Sequence, residues 1–395
     1  MRGGQEGFEA LTMTNRNERA DAAETATTPN KLNVVSRRQL FVLAGGAAFL
    51  AACSKGSAAP AETTLPEATS STIPPTTATT IAATTTTVAP TTTTLPPPVQ
   101  PLTGLPLKDP ALLARVALVV KVSNDRGARP QTGLNDADIV FEAWGAGPTR
   151  FATIWHSKDA DFVGPIRSCR EQDVNLVGEF NHAVFACSGG NAGNINLLRN
   201  SDLLLITEGK GPGWELDPNK HRPHKTHANT AFLRSNAPDR KGPEQQFHYR
   251  ALGQKAIGGQ VMNGFDLQMQ QVFVQWRHDT KTDTYVRFQD GGPHTLANGH
   301  QVSTDNVIIT WLAYEPSHTD GRSPNGTTTG KGKALVFTGG RMITGTWKRA
   351  HREDPFEFTD TKHKPVLLKP GRTFIELANG GTGSFRGSDT FTRVP

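Results

Sequence analysis

Four arginines, Arg129, Arg150, Arg167 and Arg170, fall within one stretch of the chain, ARPQTGLNDADIVFEAWGAGPTRFATIWHSKDADFVGPIRSCR. A guanidinium carries a permanent charge and a planar fork of donors, so convergent arginines suit a phosphate or a carboxylate. The expectation is an anion-binding site built from these four residues, with Glu142, His224 and His294 as accessory groups. The alternative for Arg167 and Arg170 is ordinary pairing with Asp161, Glu171 or Asp173, since structural ion pairs are common and individually weak. If the same arginines stabilise charge in a phosphoryl or glycosyl-phosphate transfer, Glu142 or Asp138 is the carboxylate available as base. Read simply, Glu142 is a half-exposed strand carboxylate.

Two further patterns invite a chemical reading. Ser188-Gly189-Gly190-Asn191 stands between a strand and a helix, the order that cradles phosphate. It lacks the lysine of a P-loop and the spacing of a dinucleotide fingerprint, so no cofactor is expected. His221, His224 and His227 recur in steps of three in HRPHKTH. Imidazoles suit zinc, but Pro223 opposes a helix that would gather them and no carboxylate or cysteine adjoins them; no metal is expected.

These residues must be positioned by elements readable from pattern. Val116 to Val122 is a β-branched run and reads as a buried strand. Asp138 to Trp144 and Thr149 to His156 each alternate around Gly145-Ala146-Gly147-Pro148, a hairpin whose register the four-residue loop leaves open. Arg167 to Phe180 has helical spacing, which places Arg167 and Arg170 near a helix start, where backbone N–H groups favour an anion. His182 to Cys187 and Leu203 to Thr207 read as strands, with Ile195 to Arg199 helical between them. Strand and helix alternate as in a layered α/β domain spanning 101–240. From 241 to 395 the strand-like segments QVFVQW, TYVRF, VIITW, ALVF, Met342 to Trp347 and TFIEL are separated by glycine-rich turns. They describe a smaller β-rich domain, so the whole is α/β followed by β, an α+β arrangement. Trp311 and Trp347 there are candidates for stacking on sugar rings or for ordinary core packing. Pro293-His294, Trp347-Lys348-Arg349 and the loop from Asp320 to Gly332 are its other notable spots.

The amino-terminal part describes location. Ser36-Arg37-Arg38 precedes an apolar run from Leu40 to Ala52 that ends Leu50-Ala51-Ala52-Cys53. The run is too short for the ~20 residues that cross a hydrocarbon core, and it fits residues 1–52 as a twin-arginine signal peptide. The ending resembles the lipobox of bacterial lipoproteins, which makes Cys53 the lipidated first residue of an extracytoplasmic, membrane-anchored chain. Residues 53–100 are rich in Thr, Pro, Ala and Ser and read as a disordered stalk on the order of 100 Å long. The net charge of +6 is spread without a basic block, which favours anionic partners and gives no reason to expect nucleic acid. Cys169 and Cys187 remain as a candidate disulfide or as two separate buried thiols.

Arg129-Pro130-Gln131 with Gly133-Leu134, Ala137-Asp138-Ile139-Val140 with Glu142, Thr149-Arg150-Phe151, Gly164-Pro165 with Arg167-Ser168 and Arg170, Gly189-Gly190, and Arg222-Pro223-His224 together resemble the YerB-like lipoprotein family, whose two domains are of unknown function. The resemblance implies an envelope lipoprotein with an α/β and a β-rich domain, and it supplies no reaction. Cys187 stands where the family has histidine before Gly-Gly, and Lys225 where it has asparagine after Pro-His. Three functions follow in order: binding of an anionic cell-envelope polymer or lipid-linked precursor through the arginines; an envelope enzyme of phosphoryl or glycosyl-phosphate transfer; a scaffold for cell-wall proteins.

Overall fold

The structure, a computed structural model, describes residues 98–237 and 239–395. The signal segment, Cys53 and all but the end of the Thr/Pro-rich stalk lie outside them. Strands dominate. The first region supplies β1 (Leu118–Ser123), β2 (Ile139–Gly145), β3 (Gly147–Trp155), β4 (Val184–Cys187) and β5 (Leu204–Thr207). The second supplies β6 (Gly264–Met269), β7 (Val272–Asp279), β8 (Thr284–Gln289), β9 (Asn306–Leu312), β10 (Gly330–Thr338), β11 (Arg341–Arg349), β12 (Glu357–Asp360), β13 (Thr373–Asn379) and β14 (Thr390–Val394). The α-helices among the described residues are short: α1 (Gln172–Leu176), α2 (Ala192–Arg199) and α3 (Thr230–Arg234). The fold is therefore mostly β, and the expected α/β layering reduces to short helices beside β1, β4 and β5. The helical spacing from Arg167 to Phe180 yields only α1 and one 3-10 turn at Gly178–Phe180, and Arg167 and Arg170 precede the helix. None of the described helices is long and apolar enough to cross a membrane.

The main sheet has 11 strands, along the path β12-β11-β10-β9-β13-β2-β3-β1-β4-β5, with the short strand Gln260–Val261 on β11. Its middle joins the two regions, because β13 lies parallel between β9 and β2. The regions 101–240 and 241–395 thus share one sheet, and the described residues belong to one compact unit. A strand buried on both faces reads as a continuous apolar run rather than an alternating one. Both β1 and β13 are buried at every position. A second sheet of 6 strands, with β8, β7, β6 and β14 in order, packs Trp276 and Arg287 against Phe151 and Phe374 of the main sheet.

Register decides what the two faces carry. The β2–β3 hairpin pairs Glu142 with Phe151 and Ala143 with Arg150, with a bulge between Ala143 and Gly145. Opposed residues share a face and neighbours alternate, so Glu142 and Arg150 project to opposite sides. β1 sets Ser123 opposite Arg150 and Lys121 opposite Ala152. One face therefore carries Arg150, Ser123 and Lys121; the other carries Glu142 and, across β13, Glu376.

Candidate anion site

β1 and β4 run parallel with Val120 level with Ala186, and they end at Ser123 and Cys187. The segment from Arg167 to Cys169 is pinned across those ends. Arg167 N–H donates to the Lys121 carbonyl (2.9 Å), Ser188 N–H to the Arg167 carbonyl (3.1 Å) and Cys169 N–H to the Gly189 carbonyl (2.9 Å). This lays Arg167, Arg170 and the Ser188-Gly189-Gly190 loop around the carboxyl ends of parallel strands, where α/β sheets habitually bind ligands. Gly190 permits the approach: a Cβ there would stand 2.6 Å from Cys169 Sγ.

Arg150 reaches the same place from β3. It is 6% exposed, and its Nε and Nη1 are buried without a hydrogen-bond partner. Burial, then the charges of Arg170 and Arg167, push its guanidinium down to about 10. Arg150 thus lies close enough to both arginines to feel their charge. Arg170 donates Nη1 to the Cys169 carbonyl (2.9 Å), and its Nε is buried and unpartnered. Asp125 offsets part of the charge. It accepts from Ser123 Oγ (2.8 Å) and from Arg167 Nε (3.3 Å), and it stays below the ordinary carboxylate range because Ser123, Arg150 and Arg167 outweigh its burial. His224, half-buried with Nδ1 unpartnered, is drawn below its ordinary value by burial, against Asp125 and with the charges of Arg167, Lys220 and Arg150.

The alternative pairings of the arginines are not formed. Asp161 accepts from Asn229. Glu171 accepts from Ser317, His318 and Asn325. Asp173 takes the buried Lys121 ammonium at 2.8 Å and the Arg170 backbone N–H at 2.7 Å. The pair Lys121–Asp173 is internal and nearly solvent-free. It holds α1 against β1 and removes the carboxylate that would otherwise neutralise Arg170.

Arg129 stands apart. It pairs with Asp290 at 2.9 Å and lines a separate groove of about 590 Å³ with Arg126, Pro293 and His294. Of the four arginines read from sequence, the structure brings together Arg150, Arg167 and Arg170, joined by His224.

Glu142 belongs to the opposite face and is fully buried, which corrects its half-exposed reading. Its Oε1 accepts from Asn124 Nδ2 (2.9 Å) and Thr149 Oγ1, and its Oε2 from Arg287 Nη2 (2.6 Å). Arg287, with no exposed side-chain surface, also meets Gln289 and His294. His294 Nε2 bonds Gln131 Oε1 at 2.8 Å, so this histidine is a link in the network and not a member of the arginine site. Glu376 lies beside Glu142; burial and then the Glu142 charge push its carboxyl well up. Asp138 accepts from His156 N–H (2.7 Å), Ser157 N–H (2.7 Å) and Ser157 Oγ, and so ties the end of β3 to the start of β2.

Comparison with known proteins places this geometry. Residues 102–244 match the family described as "Protein of unknown function (DUF3048) N-terminal domain", and residues 265–375 its C-terminal domain. A Bacillus subtilis (strain 168) protein named "Putative lipoprotein YerB" is 30% identical over 289 residues, which cover 70% of this chain and 85% of that protein. The chain belongs to the DUF3048 family. The crystal structure of the YerB protein from Bacillus subtilis aligns with a TM-score of 0.62 at 25% identity, covering 71% of this chain and 96% of that one. The two DUF3048 segments are separated by residues 245–264 in sequence, while in space β13, which begins at the end of the C-terminal match, pairs with β2 of the N-terminal one.

Cys169 and Cys187 are both buried free thiols in this DUF3048 chain. Hydrogen bonding between the two sulfurs and burial push the Cys169 thiol up, while the Cys169 proton and backbone donors hold Cys187 down. The HRPHKTH histidines separate in the fold: His221 is exposed, His224 joins the arginines, and His227 stacks on Phe162 with ring centroids 4.2 Å apart. Sequence reasoning missed Asp125, Lys121 and Arg287. Lys121 is a charged residue inside the apolar β1 run and Asp125 stands in the polar loop just after it, which were the available signals; Arg287 gave none, since a single arginine in TYVRF looks like an outward strand position.

Proposed function

We propose that the chain is a lipid-anchored, extracytoplasmic protein that binds an anionic group of a cell-envelope polymer or its lipid-linked precursor through Arg150, Arg167 and Arg170, with His224 at the rim. The observation that carries this reading is the buried Arg150 guanidinium with two unpartnered N–H-bearing nitrogens beside two further arginines. An unpaired buried charge is expensive to hold and gains most from a desolvated counter-ion. A phosphate or carboxylate would accept the free donors and relieve the mutual repulsion. The lipoprotein name of the Bacillus subtilis relative and the Leu-Ala-Ala-Cys53 ending support anchoring through Cys53. Twin arginines ahead of the apolar run support export.

The enzymatic reading, phosphoryl or glycosyl-phosphate transfer with Glu142 or Asp138 as base, has no specific observation in its favour: both carboxylates are saturated by internal donors, and Glu142 points away from the arginines. The test is titration of purified phosphate-bearing wall polymer into the folded chain, comparing wild type with Arg150→Ala and Arg167→Ala. Loss of one charge-assisted contact should weaken binding about tenfold or more. Equal binding by all three proteins ends the proposal.

A further inference from the structure

A second groove, of about 600 Å³, opens at the β9–β10 side of the molecule. Its floor is aromatic. Trp311, near the end of β9, is only partly buried, and Phe391 of β14 stands edge-on to it with ring centroids 6.3 Å apart. Trp347 fixes the floor from beneath: its indole N–H donates to the Trp311 carbonyl at 3.1 Å. That contact needs Gly332, where a Cβ would lie 2.5 Å from Trp347 Nε1 and 2.7 Å from the Trp311 carbonyl oxygen. Thr327, Thr329, Thr382 and Ser388 ring the groove with hydroxyls.

The charge of the groove is one-sided. Lys331 and Lys333 are exposed in it, and neither meets a carboxylate among the described residues. Lys333 Nζ rests 4.6 Å from the Trp311 ring centroid. The one acidic lining residue, Asp389, turns its oxygens inward, to Trp144 Nε1 (2.8 Å), Asn379 N–H (2.7 Å) and Gln270 N–H (3.2 Å), so it does not neutralise the lysines.

An exposed indole face, a ring of hydroxyls and unpaired ammonium groups are complementary to one kind of ligand. We propose that this groove is a second binding site, taking a saccharide unit that carries a carboxylate. The sugar lays its C–H face against Trp311, the hydroxyls of Thr327, Thr329 and Thr382 meet its own, and its carboxylate draws the Lys333 ammonium off the indole. The site is independent of the arginine cluster, which lies at the ends of β1 and β4.

Hyaluronan tetrasaccharide is the carboxylated probe, chitotetraose the neutral one and inorganic phosphate the anion without a sugar. Each is titrated into the full folded chain while tryptophan emission is followed. Hyaluronan tetrasaccharide should bind saturably and change the emission. Lys333→Gln, an exposed position that leaves the fold intact, should weaken it about tenfold, Trp311→Phe should abolish the emission change, and Arg150→Ala should leave binding unaltered. The proposal is overturned by absence of saturation up to about 10 mM, by equal affinity for chitotetraose, by equally effective competition from phosphate, or by loss of binding in Arg150→Ala.

Discussion

Replacing Glu142 and Glu376 one at a time by glutamine should have opposite consequences, although the two side chains are register neighbours and equally buried. Glu142 is the member that meets Arg287. Its oxygens accept from Asn124, Thr149 and Arg287, and its charge is the partner of a guanidinium with no exposed surface. Glutamine at 142 turns an N–H against one of those donors and leaves Arg287 with Glu376 at 4.0 Å as its nearest carboxyl. Breaking a buried pair from one side costs about 3–5 kcal/mol. The Glu376 carboxyl is pushed well up, toward its neutral form, and glutamine is neutral and of the same shape: its carbonyl keeps the Trp276 indole bond (2.8 Å).

The pH dependence separates the two cases further. The Glu376 carboxyl is raised from its ordinary value of 4.5. The folded state therefore binds a proton that the unfolded chain releases, and the associated stability is complete below the ordinary value and is withdrawn as pH rises toward the folded one. While the proton is held, each pH unit above that range withdraws ~1.4 kcal/mol. Glu376→Gln has no such proton, so its stability relative to wild type should rise as the pH rises above the ordinary carboxylate value. Guanidinium unfolding of the three proteins at pH 5, 6, 7 and 8 measures both effects. Two results would refute the reasoning: a Glu376→Gln difference from wild type that does not change with pH, or equal destabilisation by both substitutions at pH 5.

Asp173→Asn should destabilise by about 3–5 kcal/mol, because it leaves the Lys121 ammonium buried without its 2.8 Å counter-ion; chemical denaturation reads this directly, and a loss below about 1 kcal/mol would mean the lysine finds another partner. Gly190→Ala should cost about 1–3 kcal/mol through contact with Cys169 Sγ, and Cys169→Ala in the same chain should recover most of that loss in a double-mutant cycle. Lys121→Met combined with Asp173→Leu should cost less than Asp173→Asn alone, since an apolar pair can replace a buried ionic one although the Arg170 N–H loses its acceptor; a loss as large as the single variant's would assign the pair a role beyond packing α1 on β1.

Much of the local structure is legible in the chain. The VALVVKV run, the alternating segments around Gly145 to Pro148 and the β-branched segments of the second region all became strands, because the period of apolar residues is a local property. The family motifs were legible as well: those from Arg129 to His224 all lie within the N-terminal DUF3048 segment, 102–244. Arg150, Arg167 and Arg170 were chosen by type and proximity in sequence, and three short backbone bonds from the 167–169 segment to β1 and the β4 loop bring them together. Arg129 was chosen on the same ground and goes elsewhere, to Asp290, more than a hundred positions later in the chain. The helical spacing after Arg167 misled because a few apolar residues three and four apart do not require a full helix; packing of Val174 and Phe180 is met by one short turn and a 3-10 segment.

The amino acids by themselves determined which segments extend, where the chain turns and which side chains hold permanent charge. Tertiary structure decided which charges are alone and which are matched. The placement of β13 between β2 and β9 set Glu376 beside Glu142 and pulled the expected base into the core. The one-residue alternation along β2 and β3 put Arg150 on the other face, beside Arg167 and Arg170. Pairing is long-range and a single step of register reverses a face, so neither outcome is contained in the local pattern.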